Sequence, residues 1–245
     1  MRIGILSDVH ANLEAAEKSI AFLKGKVDFI ASLGDVVGYG PEPEECVDLI
    51  EENCSLIVRG NHEEAILSGN FSRLKTTARQ SLLWTEKNLS PAYIERIKKW
   101  PVSEEREGCF FAHASVSDPL FKYLVRKEDA EEEFKKLETS VCFVGHTHIP
   151  GGFQKSDKTG LVDVIYSDFG GEMKLLLNRR FIYILNVGSV GQPRDGLPFS
   201  CTAIYDGPGK QFSLSRIEYP LELTRQKILE KGLPSVLAKR VMQGI

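Results

Sequence analysis

The chain carries five histidines, and each follows a short apolar run that stops abruptly. Ile3-Gly4-Ile5-Leu6 ends in Ser7-Asp8-Val9-His10, and Ser55–Val58 ends in Arg59-Gly60-Asn61-His62-Glu63. Cys109–Ala112 ends at His113, and Val141–Val144 ends in Gly145-His146-Thr147-His148. A further run, Val27–Ser32, ends in Leu33-Gly34-Asp35. Short apolar runs bounded by turn residues read as buried strands. Histidines scattered at random would also fall on helices, and none of these reads so. In an open α/β sheet, ligands bind just beyond the carboxyl ends of the strands. The pattern therefore demands a fold in which several strand ends share one edge. There it gathers imidazole, carboxylate and carboxamide groups.

The segments between these runs have helical character. Asn12 is placed to cap a helix over Leu13–Lys24, with Leu13, Ala16, Ile20 and Leu23 at helical spacing and Gly25 as its C-cap signal. Pro43 opens a helix to Asn53. Residues 64–100 read as helical, with Thr76 or Thr77 capping Ala78–Leu89 and Ser90-Pro91 starting a helix through Lys99. Arg73, Lys75, Arg79, Lys98 and Lys99 make this insertion basic: either a solvated face or a lid that attracts an anion. Lys127–Glu138 reads as a charged amphipathic helix. After it the chain turns β-rich, with strands expected at Leu161–Tyr166, Lys174–Leu177, Phe181–Val187, Ser200–Tyr205 and Phe212–Glu218. Leu221–Lys231 and Ser235–Gln243 close it as helices, split by Gly232 and Pro234. The expected organisation is one α/β (α+β) domain over residues 1–245, with an insertion at about 64–100 and C-terminal helices at about 221–243.

Composition narrows the function. At a net charge of -3 there is no electrostatic footprint for nucleic acid or an anionic membrane. No apolar run approaches the ~20 residues that span a bilayer, and Met1 leads straight into a strand rather than a signal peptide. The five cysteines are dispersed and form no C-x-x-C pair, which suits small buried hydrophobes in a reducing cytoplasm.

The strand-end groups supply nitrogen and oxygen donors without thiolate. Such a set suits Mn, Fe, Ni, Co or Zn. An Asp at a strand end is commonly only a turn former. The eight groups together exceed what one ion needs. Two cations sharing a bridging carboxylate, ~3.5–4 Å apart, is the natural solution.

The order Asp8-x-His10, Gly34-Asp35, Gly60-Asn61-His62-Glu63, His113 and Gly145-His146-x-His148 resembles the calcineurin-like metallophosphoesterases over residues 1 to about 150. Asn186–Gln192 is similar to a loop of the small bacterial and archaeal members. The resemblance implies two packed mixed β-sheets flanked by helices, a four-layer sandwich. It implies that Asp8, His10, Asp35 and His148 bind one divalent metal, manganese foremost. Asp35 would bridge to a second metal held by Asn61, His113 and His146. His62 would be the proton donor or transition-state stabiliser, with Glu63 as the group placed to orient it. The implied chemistry is hydrolysis of a phosphoester by a metal-bridging hydroxide. The implied enzyme is a phosphodiesterase, or a hydrolase of nucleotides or dinucleoside polyphosphates, acting on small molecules. The competing reading is a non-catalytic metal-binding interaction module on the same fold, a role that loss of ligands or of His62 would signal. Ser/Thr phosphatases and symmetrical diadenosine tetraphosphatases carry an arginine after the Gly-Asp motif, where this chain has Gly38-Tyr39-Gly40. Arg59, Tyr39 and Arg194 are therefore the candidate substrate contacts.

Overall fold

The computed structural model describes residues 1–167, 170 and 172–245. The first half alternates: β1 (Arg2–Leu6), α1 (Leu13–Leu23), β2 (Phe29–Ser32), α2 (Pro43–Asn53) and β3 (Leu56–Ile57), then α3 (Asn61–Ser68), α4 (Thr76–Asn88) and α5 (Pro91–Ile97). Next come β4 (Ser103–Arg106), β5 (Cys109–Ala112), α6 (Lys127–Glu133) and β6 (Val141–Val144). The remainder is β7 (Gly151–Ser156), β8 (Val162–Tyr166), β9 (Met173–Leu176), β10 (Phe181–Asn186), β11 (Ser200–Asp206), β12 (Gln211–Ile217), α7 (Leu221–Glu230) and α8 (Ser235–Gln243).

The strands form two mixed sheets, ordered β3-β2-β1-β11-β12-β9 and β4-β5-β6-β10-β7-β8. β1, β2 and β3 run parallel in the first, and β5, β6 and β10 run parallel in the second. The period-2 alternation of strand side chains sorts the layers. Ile3 and Ile5 join Leu56, Phe111, Phe143, Leu185 and Phe212 in a core between the sheets. On the other face, Leu6 and Ile30 meet the apolar sides of α1 and α2, and α7 and α8 complete that cluster. Cys142, Val144 and Ile184, on the outer face of the second sheet, are covered by Ala130 and Phe134. The result is helix, sheet, sheet, helix. All five cysteines are buried and unpaired. Among the described residues, no helix is long and apolar enough to cross a membrane.

Most element boundaries agree with the sequence reading to within two residues, and the exceptions have physical causes. β4 was not expected, because Ser103-Glu104-Glu105-Arg106 is polar throughout. It is an edge strand paired to β5 through a turn at Glu107 and Gly108, both at positive φ (52° and 71°), as a two-residue hairpin requires. β7 was also missed, because it opens on Gly151-Gly152. A Cβ on Gly152 would collide with the Ile184 carbonyl of β10, so the pairing needs glycine there. α6 stops at Glu133 rather than Glu138; the chain then tightens, with Leu137 and Lys136 both donating to the Glu133 carbonyl. α3 begins at Asn61, three residues before the helical reading, so His62 lies on a helix after all.

Phe143 is fully buried between the sheets, its ring 5.4 Å from Phe111 and 5.3 Å from Tyr205. Phe143→Ala is expected to cost about 3–5 kcal/mol in denaturant unfolding. Leu176→Ala, on the exposed edge strand β9, should stay within about 0.5 kcal/mol. Equal losses would mean the inter-sheet core is not where this chain keeps its stability.

Candidate metal centre

The carboxyl ends of β1, β2, β3, β5, β6 and β10 open on one rim. Asp8 and His10 follow β1, Asp35 follows β2, Asn61 and His62 follow β3, His113 follows β5, and His146 and His148 follow β6. All eight side chains are buried. Among the described non-glycine residues, nine have positive φ, and seven of them are Asp8, His10, Ala11, Asp35, Tyr39, His146 and His148. Left-handed backbone costs about 1–3 kcal/mol per residue and persists where the surroundings over-determine it. Here it aims side chains inward.

Backbone hydrogen bonds fix these loops on one another. Asp8 N–H donates to the Gly34 carbonyl (3.0 Å), His10 N–H to Asp35 (2.8 Å), Gly145 N–H to His113 (2.8 Å) and Gly191 N–H to Asp8 (2.9 Å). Each carboxylate also accepts one amide: His146 N–H donates to Asp8 Oδ2 (3.0 Å) and His62 N–H to Asp35 Oδ1 (2.9 Å). Two glycines permit these approaches. A Cβ on Gly60 would strike Asp35 Oδ1, and one on Gly145 would strike Ser7 Oγ. Glu63 accepts from Gly60 N–H (2.7 Å), Asp35 N–H (2.9 Å) and Val37 N–H (3.0 Å). It therefore ties the Asp35 loop to the start of α3 and does not orient His62. That imidazole is held instead by the Val37 carbonyl, 3.2 Å from its Nδ1.

Ring orientation follows from the same carbonyls. His10 Nδ1 faces Val37 O (3.4 Å), His113 Nδ1 faces Leu33 O (2.9 Å) and His148 Nδ1 faces Gln192 O (2.5 Å). An Nδ1–H donated to a carbonyl leaves the lone pair on Nε2. Yet His10 Nε2 and His148 Nε2 lie 3.1 Å apart. His113 Nε2 is 3.0 Å from Asn61 Oδ1 and 3.4 Å from Asp35 Oδ2. His146 Nδ1 points at the same nitrogen from 3.0 Å. Asp8 Oδ1 is buried 3.2 Å from His148 Nε2 and has no hydrogen-bond partner among the described residues. The facing Nε2 lone pairs of His10 and His148 repel at 3.1 Å unless a cation lies between them, so the donor set fits divalent metal. Three groups with converging donor atoms are Asp8, His10 and His148; His10, Asp35 and His62; and Asp35, His113 and His146. Asp35 is common to the last two. Its Oδ2 lies 3.8 Å from His10 Nε2 and 3.9 Å from His62 Nε2.

Electrostatics agree with a cation site. Burial holds the imidazoles of His10, His146 and His148 below the ordinary histidine range, and His62 down to about 3. Neutral imidazole is the ligating form. Burial, Glu63 and Asp8 push the Asp35 carboxyl well above its usual range. Burial would raise Asp8 too, but the imidazoles of His148, His113 and His10 outweigh it and hold that carboxyl low.

Above the cluster opens a cleft of about 530 Å³. Asp35, Asn61, His62, His146 and His148 contribute to its floor. Tyr39 and Arg194, two of the candidate substrate contacts, also line it, with Arg194 Nη2 donating to Tyr39 Oη (3.4 Å). Arg59 does not. Its guanidinium pairs with Glu64 at 3.1 Å, and it is absent from the cleft lining. Arg79 is exposed on α4, also away from the cleft. Sequence reasoning missed Phe121, Tyr123 and Arg240, which line the cleft from a loop and from α8 and carry no local motif.

Two packed mixed sheets with an Asp/His cluster at their shared strand ends define a metallophosphoesterase fold. The model of the calcineurin-like phosphoesterase superfamily domain matches residues 1–207, and the chain belongs to that superfamily. A metallophosphoesterase from Sphaerobacter thermophilus is 35% identical, with a TM-score of 0.88 over 100% of this chain and 99% of its own. An uncharacterized protein of Methanocaldococcus jannaschii is 32% identical over 99% of this chain and 98% of its own. A Pyrococcus horikoshii protein shares the fold at a TM-score of 0.78 and 16% identity, covering 100% of this chain and 98% of its own.

If Asp35 serves two ions, Asp35→Asn should lower metal content at both, whereas Asn61→Ala should weaken mainly one. Elemental analysis across a metal titration checks this. Identical retention by the two variants would remove the bridging role.

Proposed function

We propose that the chain hydrolyses phosphoesters with two divalent transition-metal ions. The favoured substrates are phosphodiesters or nucleotides, including dinucleoside polyphosphates, and manganese is the favoured metal. The observation that carries this reading is the convergence of imidazole, carboxylate and carboxamide donors at the floor of an open cleft. Asp8, His10, Asp35 and His148 would hold one ion; Asp35, Asn61, His113 and His146 would hold the other. Such a pair activates water near neutral pH and neutralises phosphoryl oxygens.

The chain's own groups do the rest. With only two carboxylates against two divalent ions, the floor stays cationic and draws an anionic phosphate. The carbonyls of Val37, Leu33 and Gln192 keep His10, His113 and His148 turned inward. Asn186 holds the loop bearing His146 and His148 by donating to the Gly145 carbonyl at 2.6 Å. His62 lines the cleft, with Nδ1 fixed on Val37 and Nε2 free to meet a leaving oxygen. It would take up its proton with the substrate, whose negative charge offsets the burial that otherwise keeps it neutral. It then protonates the departing oxygen. An interaction module needs no open cleft over its metal groups, so the cleft favours the enzyme. Five buried, unpaired thiols support a reducing cytoplasm as its compartment.

A general acid contributes about 10²–10⁴-fold, most for a basic leaving group. His62→Ala should keep both metals, cut hydrolysis of alkyl or ribose esters in that range, and slow nitrophenyl esters less. Metal content is measured in the same samples. Loss of metal would make His62 a ligand, in keeping with its distance from Asp35. Equal slowing of both ester types would assign it to charge stabilisation. Metal-loaded wild type that hydrolyses no phosphoester in a screen of diesters, nucleotides and dinucleoside polyphosphates would end the enzymatic reading.

A further inference from the structure

The net charge of the chain is -3, yet the cleft lining is cationic. Arg73, Lys75, Arg194 and Arg240 line it, and Asp35 is the one acidic side chain among the described residues that do. These cations come from three separate places: the segment before α4, the loop after β10, and α8. α8 lies beyond residues 1–207, the segment matched by the superfamily model.

Their surroundings prepare them for a ligand. Arg194 rests on Tyr39 and on Gln192 Oε1 (3.2 Å) and faces Tyr123. Among the described residues it has no carboxylate within ion-pairing distance, and neither does Arg240 or Lys75, so no side-chain carboxylate offsets their charges. Arg73 is packed over the Phe121 ring at 3.8 Å and is 3.8 Å from Asp118, at the rim. A planar guanidinium presents parallel donors that match a phosphoryl group.

We propose that Arg194, Arg240 and Arg73, with Lys75, form a second anion subsite, so that the substrate carries another phosphoryl group beyond the one at the Asp/His cluster. The inference rests on the phosphoesterase reading for its substrate, but not for its binding. A chain of linked phosphates, one at the floor and one or more toward the rim, satisfies both sets of groups. A small neutral-tailed diester satisfies only the first.

Tripolyphosphate titrated calorimetrically into chelator-treated protein tests the subsite without metal or turnover. Chelation removes any metal from the floor, so the cationic side chains of Arg73, Lys75, Arg194 and Arg240 are what the anion meets in the cleft. Wild type should bind, and Arg240→Gln and Arg194→Gln should each weaken binding about tenfold or more. Arg194→Lys should restore part of it, which also shows that position 194 tolerates change in the fold. Lys239→Gln, the same charge change on the exposed side of α8, should bind as wild type does. In metal-loaded protein, Arg240→Gln should lower the ratio of kcat/KM for diadenosine tetraphosphate to that for bis(p-nitrophenyl) phosphate by a similar factor. No tripolyphosphate binding by metal-free wild type overturns the subsite, as does equal binding by all variants. Arginine-dependent binding in a chain that hydrolyses nothing would keep the subsite and remove the catalytic reading.

Discussion

Buried lone pairs crowd against one another at the centre of this molecule. His10 and His148 meet at 3.1 Å, and His113, Asn61 and His146 meet at 3.0 Å. The carbonyls behind the rings of His10, His113 and His148 fix the tautomers, so these rings cannot relieve the crowding by turning a proton inward. A buried polar group without a partner costs about 1–3 kcal/mol, and Asp8 Oδ1 is such a group among the described residues. A cation placed among these groups would offset that cost. The left-handed backbone at Asp8, His10, Asp35, His146 and His148 adds to the same debt.

What holds the cluster is the frame around it. The inter-sheet core fixes the strand ends, and the loops beyond them are joined by backbone hydrogen bonds rather than left to side-chain packing. Glu63 and Asn186 act as ties within that frame, one for the Asp35 loop and one for the His146 loop. The C-terminal helices seal its back. Thr224 donates to Glu14 (2.8 Å) and Lys227 to Glu42 (2.6 Å), while Asn12 donates to the Gly191 carbonyl beside Asp8 (3.0 Å). The same helices deliver Arg240 to the cleft, so one element both closes the core and shapes the substrate side.

Much of this was legible in the sequence, because the apolar runs and their endings are local signals. Each strand that carries a site residue was visible, and so was the residue at its end. What escaped depends on partners distant in sequence. β4 is a strand because β5 offers it an edge, and β7 because β10 fits its glycines. The true start of α3 was encoded nearby, in Gly60 followed three residues later by Glu63, a capping arrangement read instead as part of a strand-end motif. The role of Glu63 could not be inferred, since its partners lie on another loop. Arg59 was a candidate for phosphate, but its guanidinium pairs with Glu64 in the first turn of α3. Arg240 and Tyr123 reach the cleft only through tertiary packing.

The central claim is that the strand-end cluster is built for two cations with Asp35 between them. Anomalous X-ray scattering from crystals of manganese-loaded protein tests this most directly. The expected result is two peaks about 3.5–4 Å apart, one bounded by Asp8, His10 and His148, the other by Asn61, His113 and His146, with Asp35 reaching both. A single peak, or peaks away from these residues, would contradict it.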